Sequence, residues 1–133
     1  MAEAAPKIFV IDDDESVRVS LGRLLHSAGY HCVALASGDE FLELLQSDTN
    51  AGDAVCAILD IRMPGIDGIE LAHRLHCTHP TLPVILITAS REEYSKSVLT
   101  SSTVALLQKP FDDVTLFAAI AASRRGAPRA QHL

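Results

Sequence analysis

The sequence predicts an α/β fold: one domain built on a five-stranded parallel sheet, doubly wound, with helices on both faces. Three observations carry that prediction. Short, fully apolar runs rich in β-branched residues alternate along the chain with stretches whose apolar residues recur at helical spacing. Strands that are apolar throughout belong in a sheet covered on both faces, and strand–helix alternation favours parallel pairing. At 133 residues the chain has the length of a single domain, enough to bury roughly two-thirds of its unfolded surface in one core.

Taken in order, Lys7-Ile8-Phe9-Val10-Ile11 reads as the first strand and stops at Asp12. From Ser16, the residues Val17, Leu21, Leu24, Leu25 and Ala28 recur with helical period, and Gly29 stands where a helix C-terminus favours glycine. Residues 30–35 form a second strand. Ser37-Gly38-Asp39-Glu40 has capping-box spacing and opens a helix through Leu45, with Phe41, Leu44 and Leu45 inward. Residues 47–52 are polar and read as a loop. Residues 55–59 are a third strand running into Asp60, after which Met63-Pro64-Gly65 breaks the chain and Gly68 closes the loop. Ile69, Leu71, Ala72 and Leu75 mark a third helix to about Thr78, and Val84-Ile85-Leu86-Ile87-Thr88 is a fourth strand. Residues 90–102 begin like a helix, with Ser90 as N-cap and Glu92 and Glu93 in the first turn. They then run into Ser95, Ser97, Thr100, Ser101 and Ser102, whose side chains compete for the backbone. Residues 104–107 are a short fifth strand. The last helix runs from about Asp113 to Ser123, with Val114, Leu116, Phe117 and Ile120 as its apolar side. Residues 1–6 read as a disordered leader, 7–123 as the folded domain, and 124–133 as a disordered tail.

Composition excludes several classes. Seventeen acids against 11 Lys and Arg give a net charge of −6, and no basic stripe of the kind that binds a phosphate backbone is present. Direct contact with nucleic acid is therefore not expected. Cys32, Cys56 and Cys77 form no C-x-x-C pair and read as reduced thiols acting as small apolar filler. No secretion signal opens the chain, and no apolar run approaches the 18 or so residues of a membrane helix. A soluble, cytoplasmic protein without membrane contact is the expectation. The six histidines are scattered without metal-ligand spacing and receive no role.

Polar residues recur where strands end. The first strand gives Asp12 and Asp13, the third Asp60, the fourth Thr88, and Lys109 lies just past the fifth. In a parallel sheet these termini share one edge, where open α/β sheets bind ligands. Two carboxylates about 4 Å apart repel by about 4 kcal/mol at an effective dielectric near 20, so such a cluster protonates or holds a cation. All-oxygen ligands suit Mg2+, or Mn2+. An ammonium and a hydroxyl beside it would meet the oxygens of a second anion, which suits a phosphoryl group placed on a carboxylate. Plainer readings exist: Asp, Pro and Gly are ordinary turn residues, and acids favour helix N-termini, which suffices for Asp14 and Glu15. Thr88 could be an ordinary β-branched strand residue, and Lys109 a surface lysine.

Four runs together resemble the receiver domain of two-component response regulators. They are Val10-Ile11-Asp12-Asp13-Asp14-Glu15, Asp60-Ile61-Arg62-Met63-Pro64-Gly65 with Asp67-Gly68, Ile87-Thr88-Ala89, and Lys109-Pro110-Phe111-Asp112. The D-x-R-M-P-G form is most similar to the nitrogen-fixation-regulator (FixJ-type) branch. The resemblance implies a flavodoxin-like (βα)5 fold with strand order 2-1-3-4-5. It implies Asp60 as phosphoacceptor from a sensor histidine kinase or phosphotransfer protein, and Mg2+ on Asp12, Asp13, Asp60 and the backbone carbonyl of Arg62. Thr88 would bind a phosphoryl oxygen, Lys109 would pair with the phosphoryl group across an expected cis Lys109-Pro110 bond, and Arg62 and Ser90 would tune its lifetime. Output would pass by protein contact through the face of the helix over 90–102, the fifth strand and the last helix, from a monomer or a phosphorylation-dependent dimer. No effector domain follows the last helix, so a stand-alone receiver is expected; a truncated piece of a longer transcriptional regulator is the alternative.

The chain departs from the family pattern between Thr88 and Lys109. Their spacing is one residue short, Ser101-Ser102-Thr103 stands where a glycine is usual, and Leu106 occupies the position of the switching aromatic. The Ser/Thr-rich run suggests that the helix over 90–102 is short or mobile. An Asp-nucleophile phosphohydrolase of the haloacid dehalogenase type would need a second Asp at position 62, which is Arg. A flavodoxin-like cofactor binder would need a phosphate loop where Asp12 to Glu15 stand, and a degenerate docking receiver would lack some of the five site residues.

Overall fold

The computed structural model describes residues 5–48, 51–89 and 99–124. Its elements are β1 (Lys7–Ile11), α1 (Glu15–Ser27), β2 (His31–Leu35), α2 (Gly38–Ser47), a 3-10 turn (Ala51–Asp53), β3 (Cys56–Asp60), α3 (Gly68–Thr78), β4 (Val84–Thr88), β5 (Thr103–Gln108) and α4 (Asp113–Arg124). The strands pair in parallel in the order β2-β1-β3-β4-β5, as the resemblance implies. Among the described residues no helix is long and apolar enough to cross a membrane.

Strand alternation sorts the apolar residues into two cores, because successive side chains point to opposite faces. Phe9, Ile11, Ala57, Leu59, Val84 and Leu86 face one side, where Phe41 and Leu45 of α2 and Leu71 and Leu75 of α3 cover them. Ile8, Val10, Cys56, Ile58, Ile85 and Ile87 face the other, under Leu21 and Leu25 of α1 and Leu116 and Ile120 of α4. At about 25 cal/mol per Å² of apolar surface, burying each such side chain contributes roughly 1.5–3 kcal/mol before entropy is counted.

Each of the four described α-helices starts at the sheet edge where the strands end, and each start is capped by an oxygen. Asp14 accepts from the Ser16 N–H (2.9 Å), Ser37 from Glu40 (3.1 Å), Asp67 from Glu70 (2.8 Å) and Asp112 from Thr115 (2.8 Å). These bonds satisfy N–H groups that have no partner inside the helix. Gly29, with φ +92°, ends α1 in the left-handed region that glycine enters without penalty.

One expectation needs correction, and another falls mostly outside the described residues. Val114 is not on the apolar side of the last helix: it is 77% exposed, while Leu116, Ala119 and Ile120 are buried. It sits in the first turn of α4, beyond the end of β5. Of the helix expected over 90–102, residues 90–98 lie outside those described, and residues 99–102 are not helical.

Thr100, Ser102 and Thr103, among the described residues, have a structural role. Thr100 and Thr103 bond to each other, and Ser102 donates its hydroxyl to the Pro80 carbonyl (2.9 Å). With that proton committed, the 3.0 Å contact between His76 Nδ1 and Ser102 Oγ requires Nδ1–H as donor. This network fixes the entry to β5, where the register shifts: Val84 pairs with Thr103 but Ile85 with Ala105. Such a bulge places one extra residue in β5.

Candidate functional site

The parallel sheet brings the expected residues to one edge. Asp12, Asp60 and Thr88, at the ends of β1, β3 and β4, are 2%, 7% and 1% exposed. Asp13 is exposed beside them. One carboxylate oxygen from each of Asp12, Asp13 and Asp60 lies within 4.8 Å of the others. Lys109 reaches across from the end of β5, with Nζ 3.6 Å from Asp12 Oδ2 and 3.8 Å from Asp60 Oδ1. Its backbone N–H donates to the Thr88 carbonyl (2.8 Å), and the Lys109-Pro110 bond is cis, as expected.

Asp12 is the most constrained of the set. Its N–H donates to the Leu35 carbonyl (3.1 Å), its Oδ1 accepts from the Asp14 N–H (2.9 Å), and its carbonyl accepts from Arg18 Nη1 (2.7 Å). Its Oδ2 is buried without a hydrogen-bond partner, and the Lys109 contact is too long to be one. A buried carboxylate oxygen without a hydrogen bond is costly unless a further group is received. The donor set is all oxygen, three carboxylates share one volume, and one oxygen is idle, which fits a hard divalent cation such as Mg2+.

Electrostatics agree with that reading. Burial, followed by the charge of Asp12, pushes the Asp60 carboxyl up to about 6 from 3.8; Lys109 and a backbone hydrogen bond from Arg62 oppose the rise, and Asp13 adds to it. The apo site therefore holds its central carboxylate against its surroundings, a state that a bound cation relieves.

Gly68, in the first turn of α3, makes that packing possible. Its N–H donates to the Ile61 carbonyl (2.8 Å), and a Cβ there would meet the Asp60 carbonyl oxygen, the Ile61 Cα and the Asp60 carbonyl carbon, all under 3.0 Å. The helix thus lies directly on the backbone that carries Asp60.

The remaining expected residues divide. Arg62 is exposed in the loop after β3. Leu106 is half-buried, pairs with Leu86 and packs on the core of the α2–α3 face rather than joining the carboxylates. Ser90 lies outside the described residues. Two residues were missed by the sequence reading. Arg18 carries no pattern beyond being an arginine in the first turns of a helix that follows acids. Gly68 was visible only as loop punctuation, although a glycine at the start of a helical period is a signal for close backbone approach.

Comparison with known proteins points one way. A family described as "Response regulator receiver domain" matches residues 8–121. The chain is 41% identical over 106 residues to the DNA-binding transcriptional regulator NtrC of Escherichia coli, covering 79% of this chain and 22% of that protein. It is 35% identical over 126 residues to the transcriptional regulatory protein FixJ of Bradyrhizobium diazoefficiens, covering 93% of this chain and 60% of that protein. The chain thus spans less than two-thirds of these relatives. Among solved structures, response regulator protein TrrA from Thermotoga maritima, in complex with Mg2+ and BeF, superposes with a TM-score of 0.76 at 27% identity, covering 89% of this chain and 98% of that one.

Proposed function

The chain belongs to the response regulator receiver domain family, and we propose on that footing that it accepts a phosphoryl group on Asp60. One observation carries the reading: a buried strand-end carboxylate, its carboxyl raised to about 6, sits among two more carboxylates and one ammonium. Near neutral pH Asp60 is mostly ionised and nucleophilic. Its Oδ attacks phosphorus, the bond from phosphorus to the donor nitrogen of a phosphohistidine breaks, and the electron pair returns to the imidazole. Asp12, Asp13, Asp60 and the Arg62 backbone carbonyl would hold Mg2+, with Mn2+ as a substitute. The ion supplies neutralising charge for carboxylates and phosphoryl oxygens. Lys109 pairs with the transferred group and the Thr88 hydroxyl takes one of its oxygens. The complex of TrrA with Mg2+ and BeF supports a Mg2+-dependent reading here.

The donor is a sensor histidine kinase or phosphotransfer protein, and the chain catalyses only its own phosphorylation and dephosphorylation. Output passes by protein contact from the face of β5 and α4, from a monomer or a phosphorylation-dependent dimer; most of the helix expected beside them lies outside the described residues. The greater length of the NtrC and FixJ relatives favours a second reading, in which this receiver serves a longer transcriptional regulator.

Incubation with acetyl phosphate and Mg2+ tests the acceptor. Stoichiometric labelling of the wild type and none of Asp60→Asn is expected. Steady release of phosphate without a label would instead indicate a hydrolase, and no labelling at all would leave only a docking module. Arg62→Ala, which removes an exposed cation two residues from the acceptor, is expected to shorten the lifetime of the label. An unchanged lifetime would remove Arg62 from that role, and the same measurement on Ser90→Ala tests its partner.

A further inference from the structure

We infer that Arg18 is a positioning residue for the acidic pocket, fixing the peptide that joins Asp12 to Asp13. The inference rests on the reading of that pocket as a Mg2+ site. Asp12, Asp13 and Asp14 lie between the end of β1 at Ile11 and the start of α1 at Glu15, so regular secondary structure does not set their orientation. The Arg18 guanidinium reaches back from α1 and donates to the Asp12 carbonyl at 2.7 Å, a short, charge-assisted contact.

That carbonyl belongs to the planar peptide whose other end is the Asp13 nitrogen, so its direction sets the relation between the two residues. Asp12 has two further restraints, at its N–H and at Oδ1. Asp13 is exposed, tied to the buried strand by the shared peptide on one side and by the Asp14 N–H bond to Asp12 Oδ1 on the other. A clamp on this peptide keeps an Asp13 carboxylate oxygen within 4.8 Å of the Asp12 carboxylate, whose buried Oδ2 has no hydrogen-bond partner. Residues that orient metal ligands from behind change metal affinity when removed, typically by tenfold or more.

Charge alone makes the opposite prediction. Arg18 is a cation near a cation site, so removing it without positional effect would tighten Mg2+ binding. The sign of the change therefore separates the two roles. Calorimetric titration of the intact chain with MgCl2 is the measurement, with thermal unfolding in the absence of Mg2+ reporting fold integrity separately. Arg18→Ala is expected to raise the Mg2+ dissociation constant about tenfold, and Arg18→Lys, which keeps the charge and a donor, to recover most of the loss. An unchanged or lower constant in Arg18→Ala overturns the inference while leaving the site reading intact. A wild type that binds no Mg2+, or an Asp13→Asn that binds it as well as wild type, overturns the site reading and this inference with it. Should Arg18→Ala fail to fold, Arg18→Gln carries the comparison, with weaker binding supporting the clamp and equal or tighter binding overturning it.

Discussion

On the carboxylate half of the sheet edge, both backbone groups of Asp12 and one of its carboxylate oxygens are held by hydrogen bonds, and α3 rests at Gly68 directly on the backbone of Asp60. On the other half, β5 is an edge strand paired only with β4, half-buried over much of its length and offset by a bulge. The first half is over-determined and the second is adjustable. An acceptor needs fixed geometry, since small displacements in a phosphoryl-transfer site lower its rate steeply. A reporter needs room to move. The division of rigidity follows from strand position: β1 and β3 are central, with a neighbour on both sides, and β5 has one.

The largest test of this contrast concerns the strain on the rigid half. Because burial raises the Asp60 carboxyl to about 6 from 3.8, the fold prefers its neutral form. The contribution of Asp60 to metal-free stability should be most favourable below about pH 4, where the group is protonated in both folded and unfolded chains. It should fall as pH rises from about 4 to about 6, and the loss persists above that window. Relative to wild type, Asp60→Asn should be unchanged below pH 4 and more stable by about 3 kcal/mol at pH 7, measured by urea unfolding. Saturating Mg2+ should narrow the gap, and a pH-independent gap would sink the account.

Next in size is Gly68→Ala, whose methyl group meets backbone that cannot yield without moving Asp60. A loss of about 2 kcal/mol is expected, together with slower labelling by acetyl phosphate. Equal stability and equal labelling would show that the carboxylate half is softer than its contacts indicate. Leu106→Ala sharpens the contrast from the other side. It should cost about 1.5 kcal/mol, less than a fully buried leucine, and leave labelling at wild-type rate. If it slowed labelling as much as Gly68→Ala, the two halves would be one unit. Smallest is Val114→Lys, on a residue 77% exposed, with an expected change within about 0.5 kcal/mol.

Much of this architecture was legible because apolar runs and caps are local signals. The strand over Val84–Thr88 and the helix start capped by Ser37 appear where the sequence places them, though the Glu40 carboxylate accepts from Ala36 and not from Ser37. The site residues were legible through topology, since strand ends of a parallel sheet must share an edge. Val114 was misplaced because α4 is largely alanine and small residues, so its apolar period fixes the inward face poorly. The bond from Arg18 to the Asp12 carbonyl depends on how a long side chain folds back, which no spacing rule supplies. The raised Asp60 carboxyl was likewise invisible, being set by three-dimensional burial.

The capped helix starts have a consequence for how an anion meets this edge. Three of the four caps are carboxylates, on Asp14, Asp67 and Asp112, so the rim presents negative charge where bare helix ends would present positive. At the centre, three carboxylates and one ammonium give a formal charge of −2 (−3 + 1). A phosphoryl donor diffusing toward the cation-free domain is therefore repelled by rim and centre alike, within a screening length of about 8 Å at physiological salt. A single divalent ion brings the centre to zero while the rim stays acidic. The centre beside Asp60 then repels an approaching donor less than the acidic rim does.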